Sequence, residues 1–299
     1  MTEADRGAAA LAAIPPAERA ALAERSDRAG LLHLAGHGGA ILLTGTLIAA
    51  QIPLWPLLLP VHGVLLVFLF TLEHECTHRT PFASARLNEV VGHLCGALLI
   101  LPFRWFRPYH LAHHRWTNQP GDPELEGGDK PATRRAWALH VSGLPTWAGQ
   151  IRTLWRLALG REAAPYLPPS ARPAMTREAR ALLALYGAGA LSLLVSPLLL
   201  WLWVVPLLLG QPALRLYLLA EHGDCPRVAD MLLNTRTTFT NRLVRFLAWN
   251  MPYHAEHHLM PAVPFHRLPR LHALIRDRLG STADGYAAFT RDFLARRPL

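Results

Sequence analysis

The sequence predicts an all-α integral membrane protein, and three observations support this. Of 299 residues, 51% are apolar and only 17% charged, with mean hydropathy above zero, a balance foreign to soluble domains. The apolar residues gather into runs of about 20, the length a helix needs to cross a bilayer core. The basic residues are segregated, and the connections between paired runs lack them.

Taken in chain order, residues 1–30 read as a cytosolic arm. They mix acids with arginines and lack the apolar core and cleavage site of a signal peptide. Within the arm, PPAERAALAERSD has a proline-led start and helical spacing at Ala17, Ala21 and Leu22. This predicts a short helix, either at the lipid headgroups or solvated. The remainder, 31–299, is expected to be one membrane domain. Four spans are predicted, Leu31 to Ala50, Leu54 to Leu72, Ala181 to Leu200 and Trp201 to Ala220, paired as two hairpins.

Charge sets their orientation, because lysine and arginine are retained on the cytosolic side of short loops. The turns QIPLWPLLLP and SPLLLWLWVVP contain neither, so both face outward. The arm, the section from Glu73 to Arg180 and the tail from Glu221 then lie inside, which predicts a multi-pass protein of the inner, cytoplasmic membrane with both termini cytosolic. The formal charge of +9 falls on that inner face, suited to anionic lipid or an acidic partner protein. Nucleic acid is a poor partner, since no zinc-finger spacing or stacking-aromatic module accompanies the arginines.

A further apolar run, residues 87–103, holds Asn88, Glu89 and His93. A single crossing there would put the histidines on its two sides on opposite faces of the membrane, so a re-entrant or interfacial helix is expected. The same holds for the arginine-rich stretch from Arg134 to Arg161. The three cysteines, Cys76, Cys95 and Cys225, form no C-x-x-C, which fits a reduced compartment. Cys76 reads as a small filler, because its helical face differs from that of the neighbouring histidines.

Those histidines carry the chemistry. His74-Glu75-Cys76-Thr77-His78 fits H-E-x-x-H, in which two histidines bind zinc and the glutamate acts as a peptidase's base. Two further boxes follow, His110, His113 and His114 in PYHLAHHRWTN and His254, His257 and His258 in PYHAEHHLMP. Spacings of three and four put side chains on one helical face, so each box can present several imidazoles. An interval of 32 residues separates His78 from His110 and, again, His222 from His254. That repetition marks His222 as a ninth candidate ligand.

A zinc protease needs three protein ligands and would leave most of these nine without work. Nine neutral imidazoles suffice for two metals with four or five nitrogen ligands each. Imidazole accepts zinc, copper, nickel and iron, and paired metals at the mouth of a lipid-embedded bundle suit redox chemistry on apolar chains. The Glu-x-x-His pairs of soluble di-iron proteins are absent from the sequence, so an all-histidine di-iron centre is expected. Glu75 then balances charge or orients a ligand.

The series HECTH, HLAHH and HAEHH, with RWTNQPGDPE after the second box and HHLMPAVPFHRLP after the third, resembles the membrane fatty acid desaturase superfamily, in particular its bacterial acyl-lipid-type members. The resemblance runs from about Leu31 to Leu274. It implies four membrane helices, a cytosolic helical cap bearing two irons, all box histidines as ligands, and His222 as the additional ligand before the third box. Where acyl-CoA members carry an asparagine one turn before that histidine, this chain has Leu218.

The expected activity is dioxygen-dependent introduction of a double bond into a fatty acid or acyl lipid. A hydroxylase is the neighbouring outcome on one scaffold. A membrane zinc protease and a non-enzymatic metal-binding or transport protein are the other classes. Asn118, Asp122, Glu124, Glu221 and Glu256 are candidates to accept hydrogen bonds from ligand imidazoles, as carboxylates and carbonyls do. Trp105, Phe106, Trp116, Trp249 and Tyr253 are candidates either to line an acyl tunnel or to anchor the interface. Arg215 is placed to meet Glu221, an acyl headgroup or lipid phosphate, or to snorkel. His33 and His37 lack a box around them, and His62, His93, His140, His266 and His272 read as structural or interfacial. No Rossmann fingerprint or iron–sulfur cysteine set is present, so electrons are expected from a separate donor, an acidic ferredoxin first, a cytochrome or rubredoxin otherwise.

Overall fold

The computed structural model describes residues 4–126 and 130–299, and these are mostly helical with almost no strand. Helices α1 (Ala4–Ala12) and α2 (Pro16–Leu22) precede α3 (Asp27–Ala49), which Ser26 caps by accepting from the Ala29 N–H. After a 3-10 turn, α4 (Leu58–Val67) and α5 (Leu69–His78) run almost end to end. The second half of the chain supplies α11 (Arg172–Ser192) and α12 (Val205–His222), the latter preceded by a π-helical turn at Leu200–Val204. Three stretches, Asp27–Ala49, Trp55–His78 and Leu200–His222, are long and apolar enough to cross a membrane.

Close backbone contact joins α4 to α12. A Cβ on Gly63 would sit 2.1 Å from the Pro206 carbonyl oxygen, and one on Gly210 would sit 2.3 Å from the Gly63 carbonyl carbon. Only glycine at both positions permits this approach, the usual device where apolar helices pack without a hydrophobic driving force. The two most apolar of these stretches are thereby locked together, and their C-terminal ends, His78 and His222, finish α5 and α12.

The run at 87–103 divides. Helix α6 (Ala85–Leu99) ends on Ile100, whose φ of 57° is left-handed, and Pro102 starts α7 (Phe103–Trp116) at 98° to it. The bent pair is a fourth candidate crossing only if both limbs form one span. Its sharp turn is what a re-entrant or interfacial element requires. The span expected over 181–200 differs from observation. Helix α11 begins earlier, takes Arg172, Arg177, Glu178 and Arg180 into its first turns, and stops at Ser192 before a turn. Glu178 is engaged by His93 Nδ1 at 2.6 Å and by the Arg104 N–H at 3.0 Å, so the start of α11 is tied to α6 and α7.

The remaining helices are α8 (Pro123–Glu126), α9 (Arg134–Val141), α10 (Leu144–Ala158), α13 (Met231–Asn234), α14 (Arg242–Leu247), α15 (His254–Leu259), α16 (Leu268–Ile275) and α17 (Tyr286–Ala295). A two-residue parallel pairing of Thr237–Thr238 with Thr282–Ala283 ties the tail to the loop before α14. The helix expected within the arm is present as α2. Ala10, Ile14 and Leu22 are buried in the main core with Leu268, Leu271 and Ile275, and Arg270 and Arg267 pair with Glu18 and Glu24.

Candidate metal centre

All nine singled-out histidines converge. Residues four apart share a helical face, so α5 sends His74 and His78 inward together, while α7 presents His110, His113 and His114 from its buried side. His222 ends α12, and α15 contributes His254, His257 and His258. Helix C-termini carry partial negative charge, and both α5 and α12 point theirs at this cluster. A cation there is favoured.

The nitrogens separate into two groups. His74, His78, His110, His114 and His257 bring one ligand atom each to within 4.8 Å of one another, and so do His113, His222 and His258. His254 joins the second group, its Nε2 lying 3.1 Å from that of His222. Within the groups, Nε2 atoms stand 2.9 Å apart for His74 and His257, 2.8 Å for His78 and His110, and 3.2 Å for His113 and His222. Cis ligands on a metal with bonds of about 2.1 Å are separated by roughly 3.0 Å. His114 and His258 stack at 4.0 Å with 10° between their planes, joining one group to the other.

Hydrogen bonds behind the rings decide which nitrogen faces the centre. Asp122 Oδ1 accepts from His113 Nδ1 at 2.9 Å, and the Asn234 carbonyl accepts from His222 Nδ1 at 3.3 Å. Thr117 donates its hydroxyl to the His113 carbonyl and accepts from His258 Nδ1 at 3.1 Å. Each Nδ1 therefore carries the proton, leaving an Nε2 lone pair aimed inward. Lone pairs crowded this closely repel unless a cation lies between them, and the buried His258 Nε2 and both nitrogens of His114 have no hydrogen-bond partner. Two groups of neutral imidazoles at these spacings fit two metal ions.

Electrostatics agree. Burial first, then neighbouring imidazoles, hold His254, His257 and His258 well below the usual histidine range, so they stay neutral and able to ligate. Burial alone would push Asp122 up, but the His113 hydrogen bond and charge and the Asn118 and Glu124 N–H groups bring it below the ordinary carboxylate range.

The other expected partners fare unequally. Glu221 Oε1 is 3.4 Å from His254 Nδ1. Glu75 Oε1 is 3.7 Å from His257 Nδ1, too far for a hydrogen bond, while its Oε2 accepts from the Thr80 hydroxyl and the Phe265 N–H. Glu124 Oε1 lies 3.9 Å from His113 Nε2. Asn118 touches no ring and instead donates to the His222 and Asn234 carbonyls. Glu256 faces away altogether, bonded to Thr237 and to His272 Nδ1. Two residues from either His254 or His258, it lies about 200° round the helix, on the opposite side.

Thr117 and Asn234 were not among the candidates. Thr117 adjoins the second box, and a hydroxyl there was a readable signal, whereas a backbone carbonyl at Asn234 leaves no mark in sequence. His33, His37 and His62 lie outside both groups, held by the carbonyls of Phe246, Leu65 and Leu202. Cys76 is buried and in neither group.

A cavity of about 620 Å³ reaches the centre at His74, His110, His113 and His254. Phe70, Trp105, Phe106, Tyr109 and Leu218 form part of its apolar wall. Trp105 and Phe106 are thus where a tunnel was expected. Trp249 is instead wholly buried in the core, Trp116 is exposed, and Tyr253 packs on His272.

A helical frame with segments long and apolar enough to cross a membrane, whose helix ends meet nine converging imidazoles, fits a membrane protein built to hold metal. The chain belongs to the fatty acid desaturase family, whose model matches residues 50–290, and the enzyme is an oxidoreductase of that class. It is 26% identical over 251 residues to the sn-1 oleoyl-lipid 12-desaturase of Picosynechococcus, covering 76% of this chain and 71% of the relative. A protein of the same description from Anabaena variabilis is 25% identical, covering 73% and 67%. The sn-2 acyl-lipid omega-3 desaturase (ferredoxin) of Helianthus annuus is 38% identical over 61 residues, 20% of this chain and 14% of the relative.

Proposed function

We propose that this protein desaturates the acyl chain of a membrane lipid, using two irons, dioxygen and electrons from a separate carrier. His74, His78, His110, His114 and His257 hold one iron and His113, His222, His254 and His258 the other. The observation that carries the reading is the division of nine imidazoles into two groups beside a cavity whose near wall is apolar. When bound, the irons supply dioxygen activation and removal of hydrogen from an unactivated carbon. The chain's part is positional. Phe70, Trp105, Phe106 and Leu218 exclude water and hold an acyl segment beside His74 and His254, and Asp122, Asn234 and Thr117 fix the rings.

Residues 1–30 act as a cytosolic arm on a membrane domain of residues 31–299 in the inner membrane, with both termini and the cap cytosolic. Helix α11, with its charged first turns at the headgroups, makes the fourth crossing. Leu194 and Val195, in the turn just beyond it, are 84% and 91% exposed, as suits contact with lipid. For electrons we favour an acidic ferredoxin-like protein, the carrier that the sunflower relative's description names. Helix α7 turns Arg104, Leu111 and Arg115 outward while its opposite face carries ligands, which gives such a donor a basic landing close to the irons.

A zinc protease is disfavoured because Glu75 is buried and already accepts two hydrogen bonds. The deciding experiment supplies the reconstituted protein with reductant, ¹⁸O₂ and acyl lipids. Loss of two hydrogens without label is expected. Gain of one labelled oxygen as the main product would make the enzyme a hydroxylase on the same ligands, and peptide cleavage abolished by Glu75→Gln would replace both readings.

A further inference from the structure

The cavity has a second end. Away from the histidines its wall becomes polar and basic, with Lys130, His140, Arg152, Arg156 and Arg215. Two of these cations are spoken for: Arg156 pairs with Glu162 at 2.9 Å and Lys130 stands 3.8 Å from Glu124. Arg215 is different. It lies on α12 seven residues before His222, about 10 Å along the helix, and forms no ion pair among the described residues. Its Nη1 reaches the Thr146 hydroxyl at 3.4 Å, and its Nε is buried with no hydrogen-bond partner. The His140 Nε2 and Gln150 Oε1 atoms at this end are likewise buried and unpartnered.

An arginine on a membrane helix with no carboxylate in direct contact is costly, although Glu124 and Glu221 lie near enough to act on it, and its fork of donors suits a planar or tetrahedral oxyanion. His140 does not add a charge, since burial and the nearby cations of Arg215 and Lys130 push it down to about 4. The mouth also lies where lipid can enter. Helix α10 forms one wall and exposes Leu144, Ile151 and Trp155, an apolar stripe that suits burial at the headgroup level.

We infer that Arg215 binds the oxyanion of the acyl carrier, a phosphodiester or a carboxylate, and so selects which acyl compounds reach the histidines. Glu221, on the same helix and also lining the cavity, stands against His254, and Arg152 is exposed on α10, so Arg215 is the wall cation with a buried, unpartnered donor. This inference rests on the acyl-chain reading of the cavity. Arg215 acts on the carrier and not on the reacting carbon, so its loss changes affinity and KM before kcat.

The test uses the full-length purified protein and measures binding, without turnover, of dioleoyl phosphatidylglycerol, oleate and uncharged dioleoylglycerol by native mass spectrometry. Wild type is expected to prefer an anionic ligand over dioleoylglycerol, and the stronger of the two anions names the carrier. Arg215→Gln should weaken the anionic ligand about 10- to 100-fold, the worth of a charge-assisted hydrogen bond, while leaving dioleoylglycerol unchanged. Arg215→Lys should restore part of the loss. Equal weakening of all three ligands, or no change in any, overturns the inference. If the variant does not fold, equal wild-type affinity for phosphatidylglycerol and dioleoylglycerol overturns it as well. Anion binding through Arg215 without any double bond formed would refute the desaturase reading alone, and desaturation indifferent to headgroup and to Arg215 would refute this inference alone.

Discussion

The two histidine groups share helices α7 and α15, with α5 added to one and α12 to the other, yet they are supported differently. Behind the group of four, Asp122, the Asn234 carbonyl and Thr117 each hold an Nδ1 proton, and Glu221 stands 3.4 Å from His254. Behind the group of five, Glu75 lies 3.7 Å from His257 and both nitrogens of His114 lack a partner. His78 and His114 are also partly exposed, whereas His113, His222 and His258 are buried. One half of the centre is set in place by protein hydrogen bonds, and the other relies on its metal to collect the rings. Preorganised rings lose less freedom on binding, so the group of four should hold its iron more tightly.

The largest expected effect is at the core of the supported half. His222→Ala should lower iron from about two per chain to about one and abolish turnover, with the protein still folded in membranes, because the hydrophobic spans are untouched. Iron analysis beside an activity assay decides it; two irons and full activity would remove His222 from the ligand set. A smaller effect separates the two supports. Asp122→Asn should weaken one iron by about 10- to 100-fold, the cost of losing a carboxylate behind a ligand. Glu75→Gln, aimed at a contact that is not a hydrogen bond, should cost clearly less. Competition with a graded series of chelators measures both, and equal losses would mean that the contrast has no energetic content.

The smallest effect on metal belongs to His62→Ala. His62 bonds to Thr44 at 2.7 Å and to the Leu202 carbonyl at 3.1 Å, joining α3, α4 and the π-helical turn. Losing two buried hydrogen bonds costs about 1–3 kcal/mol, so the melting temperature should fall while iron stays at about two per chain. Iron loss there would extend the centre's support across the whole membrane frame.

Much of this site was legible in sequence because helical spacing is local. The repeated interval of 32 residues became two direct meetings, His78 with His110 and His222 with His254, each through Nε2. The partition was less visible. Each H-x-x-H-H box divides between the two groups, since adjacent residues point about 100° apart on a helix, and His113 and His257 go with different partners from His114 and His258. The same rotation removes Glu256 from the centre although it stands between two candidate ligands. Supports that come from far along the chain, such as the Asn234 carbonyl, depend on tertiary packing and have no sequence signature.

The membrane frame shows a similar limit. Apolar length matches three of the expected spans, whereas the helix at the third, α11, starts nine residues earlier than 181, because charges in its first turns are met by neighbouring helices, with Glu178 taking His93 and the Arg104 N–H. Hydropathy reads composition and cannot see such pairing. The arm likewise was legible as a helix at Pro16–Leu22, but its burial of Ala10, Ile14 and Leu22 against α16 follows from contacts some 250 residues distant in sequence.

The central claim is that the nine histidines form two separate sites. Crystals of the protein purified with its native metal, measured on both sides of the iron absorption edge, locate the metal without reference to activity. The account predicts two anomalous peaks, one among His74, His78, His110, His114 and His257 and the other among His113, His222, His254 and His258, each lost below the iron edge. A single peak at His74 and His78 that persists below the iron edge and vanishes below the zinc edge would contradict it.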